Sequence, residues 1–199
     1  GNNGFDCSKS IIPLSENGYI LNGAHRLSSA IFNKKNIFCI DTDSKSHHYD
    51  YSFFRNRNVS DNFCDLAAST FIEYADNTYV AFIWPVAECT LQSTLKFFPN
   101  VVYAKEIELS PLGEHNLVSQ IYFGEPWLGT VKNNFRGSQG KVAECFKKSG
   151  LVKVIAFQAS SLSDVLKIKE CVRSEFKVGR HSIHITDTKE EAIRASQLV

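Results

Sequence analysis

Apolar residues recur along the chain in two rhythms, one of short runs and one of helical spacing. Ile11-Ile12-Pro13-Leu14 and Tyr19-Ile20-Leu21 flank the polar Glu16-Asn17-Gly18, the turn chemistry of a short hairpin. After Asn22-Gly23 the apolar positions become Ala24, Leu27, Ala30 and Ile31, the spacing of one helical face. Ile37-Phe38-Cys39-Ile40 then predicts a buried strand, ended by Asp41-Thr42-Asp43-Ser44. The first section therefore reads strand, strand, helix, strand.

A polar and aromatic passage at 47–57 predicts a boundary or a surface crossing. Beyond it the pattern predicts helices over 61–74, 91–98 and 111–123 and strands over 79–86 and 101–109. The run 151–157 predicts a central strand, followed by a helix over 162–176 with Leu162, Val165, Leu166, Val172 and Phe176 facing the core. Ser161 with Asp164, and Thr188 with Glu191, have the spacing of capping boxes, and 181–185 reads as a strand between those two helices. Strands alternating with helices of this length predict an α/β layered fold, with α+β as its variant. The expected division is a small first unit over 1–45 and a larger α/β section over 46–199 that completes its cleft.

Composition narrows the classes. With 43% hydrophobic and 22% charged residues in 199, disorder, collagen and coiled coil are excluded. Lys+Arg 22 against Asp+Glu 21 gives no overall pull toward nucleic acid or an anionic membrane. The six cysteines (Cys7, Cys39, Cys64, Cys89, Cys145 and Cys171) stand singly and predict buried, reduced thiols rather than a zinc or redox motif. No apolar stretch approaches the roughly 20 residues of a membrane span, and the expected compartment is the cytoplasm. A glycine start and the absence of methionine are what a piece cut from a longer chain would show.

The most informative segment is Leu21-Asn22-Gly23-Ala24-His25-Arg26, where a strand ends on glycine and a helix opens with His-Arg in its first turn. Glycine permits close backbone approach, free N–H groups and the macrodipole favour an anion, and Arg26 adds a guanidinium. His25 adds a donor or a proton-transfer group. On chemistry alone, a capped surface turn explains the same residues equally well.

The arrangement resembles the ParB/sulfiredoxin superfamily, in which a strand runs into a Gly-x-(His/Arg)-Arg turn and a helix that hold nucleotide phosphates; the likeness covers roughly 5–42. Sulfiredoxins carry a catalytic cysteine where this chain has Ala24, so sulfinic acid reduction has no thiol here. Partitioning ParB proteins usually have arginine at the position of His25 and a basic helix-turn-helix domain afterwards, unlike the neutral section after Ser44. The free serine kinase type, Asp-Gly-His-His-Arg, is the most similar version, matched by Asn22, Gly23, Ala24, His25 and Arg26. That resemblance implies a nucleotide-dependent small-molecule kinase or phosphotransferase using ATP or ADP, with CTP as a further candidate and Mg2+ as a possible ion. Its partners would be the nucleotide and a small-molecule phosphoryl acceptor. Glu16, His25 and Asp41 are the candidate catalytic residues, with Asp6 and Asp43 the other nearby acids. The alternative is a ParB-like module that binds nucleotide or nucleic acid without kinase activity; as a nuclease it would call on Asp41, Asp43 and Asp50.

Other constellations are weaker. His181 and His184 sit three apart, so on a strand they point to opposite faces, which argues against a shared metal; Asp187 falls where a helix N-cap belongs. His184 remains a candidate at a cleft. Residues 132–141 predict a polar basic loop before a helix with Val142, Ala143 and Phe146 inward, and Arg136 in it is a candidate second anion contact. It is no Walker A loop, because Val142 follows Lys141. Trp127 reads as a hydrophobic plug or a stacking platform. His47 and His48 beside Asp50 fit an exposed linker.

Overall fold

The computed structural model describes Asp6 and residues 9–46, 49–147 and 149–198, in two compact units, 1–49 and 50–199. The expectations placed on Cys7, His47 and His48 lie outside the described residues.

In the first unit, β1 (Ile11–Leu14) pairs in parallel with β2 (Phe38–Asp41), joined through α1 (Ala24–Phe32). The predicted hairpin reduces to one antiparallel bridge, Leu14 to Ile20, beside the hydrogen bonds Ser15 N–H to Tyr19 O and Leu21 N–H to Pro13 O. Buried Ser15 organises its turn, its hydroxyl accepting from the N–H of Tyr19 at 3.1 Å. The second arm is short because Asn22-Gly23 turns the chain at once into α1. Two expectations fail here. β2 is exposed along its whole length rather than buried, since a two-stranded sheet with one helix covers little; and Ile31 is exposed while Ala30 is buried.

The second unit is built on a four-stranded sheet of β3 (Thr78–Ile83), β4 (Val101–Glu108), β5 (Leu151–Gln158) and β6 (Ile183–Ile185). Its order is β4-β5-β3-β6 and every pairing is antiparallel. This unit is therefore the α+β variant of the expected layered class. Helices cover both faces, so β3 reads as an unbroken buried run. Val80 and Phe82 face α3 (Asp61–Tyr74), α5 (Pro111–Ile121) and α8 (Lys189–Ser196), while Tyr79, Ala81 and Ile83 face α7 (Leu162–Phe176), which is the period of two a strand imposes. α4 (Leu91–Leu95) lies beside β4, and α2 (Tyr51–Arg55) is fixed by Arg55. That guanidinium donates to the Ala104 carbonyl at 2.8 Å and the Tyr103 hydroxyl at 3.0 Å, and forms an ion pair with Asp61.

Helix starts follow their caps: Ser161 accepts from the Asp164 N–H and Thr188 from the Glu191 N–H, as the spacing predicts. Within α7, Val165 and Val172 are buried but Leu162 and Leu166 are exposed, and Ile168 and Lys169 take the inward places. The predicted loop 132–141 is half helix, because α6 (Gly137–Cys145) begins inside it, and Ala143 is exposed. Gly137 makes this possible: a side chain there would run into the Trp127 carbonyl. Two of the five described cysteines, Cys39 and Cys171, are exposed, against the expectation that all are buried; all five are free thiols. Among the described residues no helix is long and apolar enough to cross a membrane.

Candidate functional site

Gly23 sits at the N-cap of α1 in the left-handed region, φ +94°, a conformation that glycine adopts without cost. Its own N–H is taken by the Asn22 side-chain oxygen at 2.7 Å. The first helical hydrogen bond runs from Leu27 N–H to Gly23 O at 2.9 Å, so the N–H groups of Ala24, His25 and Arg26 have no partner among the described residues. No side chain caps them, and the first turn holds no acid. Three donors and the positive end of a nine-residue helix are thus open at one point.

Arg26 folds back over this point. One guanidinium nitrogen donates to the Ile11 carbonyl at 3.3 Å, and another lies so near Gly23 that a Cβ there would touch it and the buried Ile12 side chain. Ile12 and Arg26 can therefore pack this closely on the turn only because the residue is glycine. A cleft of about 450 Å³ opens at the turn, lined by 20–26 and Tyr49, all of the first unit. Asn22, Gly23, Ala24, His25 and Arg26 are brought together there.

The expected carboxylates are not. Glu16 is exposed in the hairpin turn, its N–H bonded to Ser44 O, and Asp41 is exposed at the end of β2; neither lines the cleft. No acid is found among the described lining residues, which leaves His25 as the titratable group beside Arg26 and Tyr49. Asp50 caps α2 through the Phe53 N–H. Among the described residues no three His, Cys, Asp or Glu side chains gather where an ion could be held.

Comparison with protein-family models, curated proteins and solved structures finds no match to this chain. The chemistry of its own residues carries the reading.

The remaining candidates lie in the second unit. His184, on β6, lines a second cleft of about 460 Å³, with its Nε2 3.1 Å from Glu191 and its ring edge-on to Tyr122. Arg136 is exposed at the start of α6 and does not line that cleft. His181 belongs to a 3-10 turn (Gly179–His181) rather than to β6, so strand alternation does not apply and both histidines border the same cleft. Asp187 is not an N-cap, which is Thr188; it pairs with Lys169 at 2.6 Å. Burial works to raise the Glu191 carboxyl, yet the imidazole of His184 and the backbone N–H of Asp187 hold it below the usual carboxylate range. Sequence reading missed Lys141, Arg173, Arg180 and Tyr122 in this cleft. For α7 a signal existed: Lys169 and Arg173 are one helical turn apart, and Lys169 falls at helical spacing from the buried Val165 and Val172.

Proposed function

We propose that the protein is a nucleotide-dependent phosphotransferase acting on a small-molecule acceptor, with the phosphates held at Asn22, Gly23, Ala24, His25 and Arg26. The observation that carries this reading is the left-handed Gly23 heading α1, with three open N–H donors and an arginine folded over it. Phosphate oxygens match that array of short-range donors, and Arg26, held by one long hydrogen bond to Ile11, keeps donors free for a bidentate contact. The resemblance of the turn to the free serine kinase type supports ATP or ADP as the nucleotide, with CTP next. His25 is exposed at the same turn and takes the role of proton acceptor that Glu16 and Asp41 cannot fill from where they lie. The described lining offers no carboxylate for magnesium, so the ion's place in this reading is on the nucleotide's own phosphates. Free thiols fit a cytoplasmic location.

The missing carboxylate favours a second reading, a nucleotide-binding module that performs no transfer. Calorimetry with ATP, ADP and CTP, with and without magnesium, tests the shared part: wild-type binding that weakens at least tenfold in Arg26→Ala is expected, and no wild-type binding overturns both readings. Release of ADP from ATP on addition of hydroxyl-bearing acceptors then separates them.

A further inference from the structure

The second cleft has a composition its surroundings do not explain. Its described lining carries four cationic side chains, Lys141, Lys169, Arg173 and Arg180, against one carboxylate, Glu125. Lys169 is matched by Asp187, and Arg173 shares Glu170, a carboxylate 70% exposed to water. Lys141 and Arg180 have no carboxylate within ion-pair distance among the described residues. The Lys141 ammonium donates to the backbone oxygen of Arg180 at 3.0 Å and lies 5.4 Å from the Tyr122 ring centre, neutral partners both. Its other neighbour is Cys145, whose thiol burial pushes up to about 11, leaving it uncharged at neutral pH. Burial lowers the Lys141 ammonium from its ordinary range against the opposing pull of Cys145, and Arg173 and Arg180 add smaller contributions in the same direction as burial. Two further polar atoms are left over: Nε of Arg173, a donor, and Nδ1 of His181, which donates in one tautomer of the ring and accepts in the other, are buried with no partner among the described residues.

The opposite character lies alongside. Tyr122 and Trp127 meet edge to face at 5.1 Å, and Trp127 is 46% exposed, an aromatic surface presented at the cleft; of its two sequence readings the plug fails, since Leu128 is the residue buried there. Cations from α6, α7 and the 3-10 turn thus face a cleft with an aromatic wall, of a volume usual for a small organic ligand.

We propose that this cleft binds a phosphate monoester carrying a planar ring, the phosphate set against Lys141, Arg173 and Arg180 and the ring against Tyr122 and Trp127. A phosphate monoester carries nearly two negative charges at neutral pH, matching the two unpaired cations, and its oxygens accept from their N–H groups. Phenyl phosphate is the probe, followed by calorimetry and by fluorescence of the full chain, since Trp84, the other tryptophan, is buried in the core. Expected is a saturable one-to-one fluorescence change, lost in Trp127→Phe, with phenyl phosphate bound at least tenfold more tightly than inorganic phosphate or phenol. Arg180→Gln, at an exposed position that burdens no core, weakens binding at least tenfold, while Arg26→Ala leaves it unchanged and so separates this site from the turn at Gly23. The proposal is overturned if phenyl phosphate shows no saturable binding, if Arg180→Gln and Lys141→Gln both bind as wild type, or if inorganic phosphate binds equally well.

Discussion

At the scale of single residues, two glycines and one carboxylate carry more than their size. Gly23→Ala imposes a left-handed alanine, worth about 1–2 kcal/mol, and drives its methyl into Ile12, so a smaller helical circular dichroism signal of the full chain and loss of nucleotide binding are expected together. Gly137→Ala meets backbone instead of a yielding side chain; overpacking of that kind costs roughly 1–3 kcal/mol, checked by urea unfolding. Glu191 accepts from Asp187 N–H at 2.8 Å and partners His184, and its depressed folded pKa contributes stability that is present above the unfolded value, about 4.3. That contribution is lost as pH falls through the folded value. Glu191→Gln is therefore expected to be less stable than wild type at pH 7 by about 1.5 kcal/mol, with the gap closing below about pH 4. Gly23 is legible from its place between an apolar run and a His-Arg pair, and the N–H of Glu191 from its capping spacing to Thr188, but the partners of the Glu191 carboxylate are not. Gly137 looks like one more loop glycine until the Trp127 carbonyl is seen beside it.

At the scale of elements, reading was most faithful where caps and period agree. α3 and α7 follow the bounds expected from Asp61, Ser161 and their apolar spacing, because local hydrogen bonds and burial demand the same residues. It failed where partners distant in sequence decide. Ile37 to Ile40 is as apolar as a buried strand, yet β2 has a single neighbour and stays exposed; Lys169 is turned inward because Asp187 waits for it. The uncapped helix start at Gly23 is legible in the sequence, whereas the basic cleft is not, since its charges come from α6, α7 and a 3-10 turn that no local pattern unites. Burial also sorts the thiols. Cys39 and Cys171 should react with an aromatic disulfide reagent in the native protein, while Cys64 and Cys145 react on unfolding, as read from the time course of thiol release.

At the scale of the molecule, the two units differ in what holds them. Both hydrophobic clusters of the second unit draw on residues from Tyr51 onward, whereas Ile12 and Ala30 are the fully buried apolar side chains among the described residues of the first. A fragment of 50–199 is expected to unfold cooperatively alone, and 1–49 alone to lack a sigmoidal melt by circular dichroism. The Arg55 clamp has a further consequence. β4 is an edge strand eight residues long, the kind of template on which a second chain can add its own strand, and the other edge, β6, offers just three residues. By engaging the Ala104 carbonyl from outside the sheet, Arg55 breaks the row of free backbone groups such an addition needs. Its loss would show less in a melting curve than in storage, as slow growth of light scattering from chains joining edge to edge.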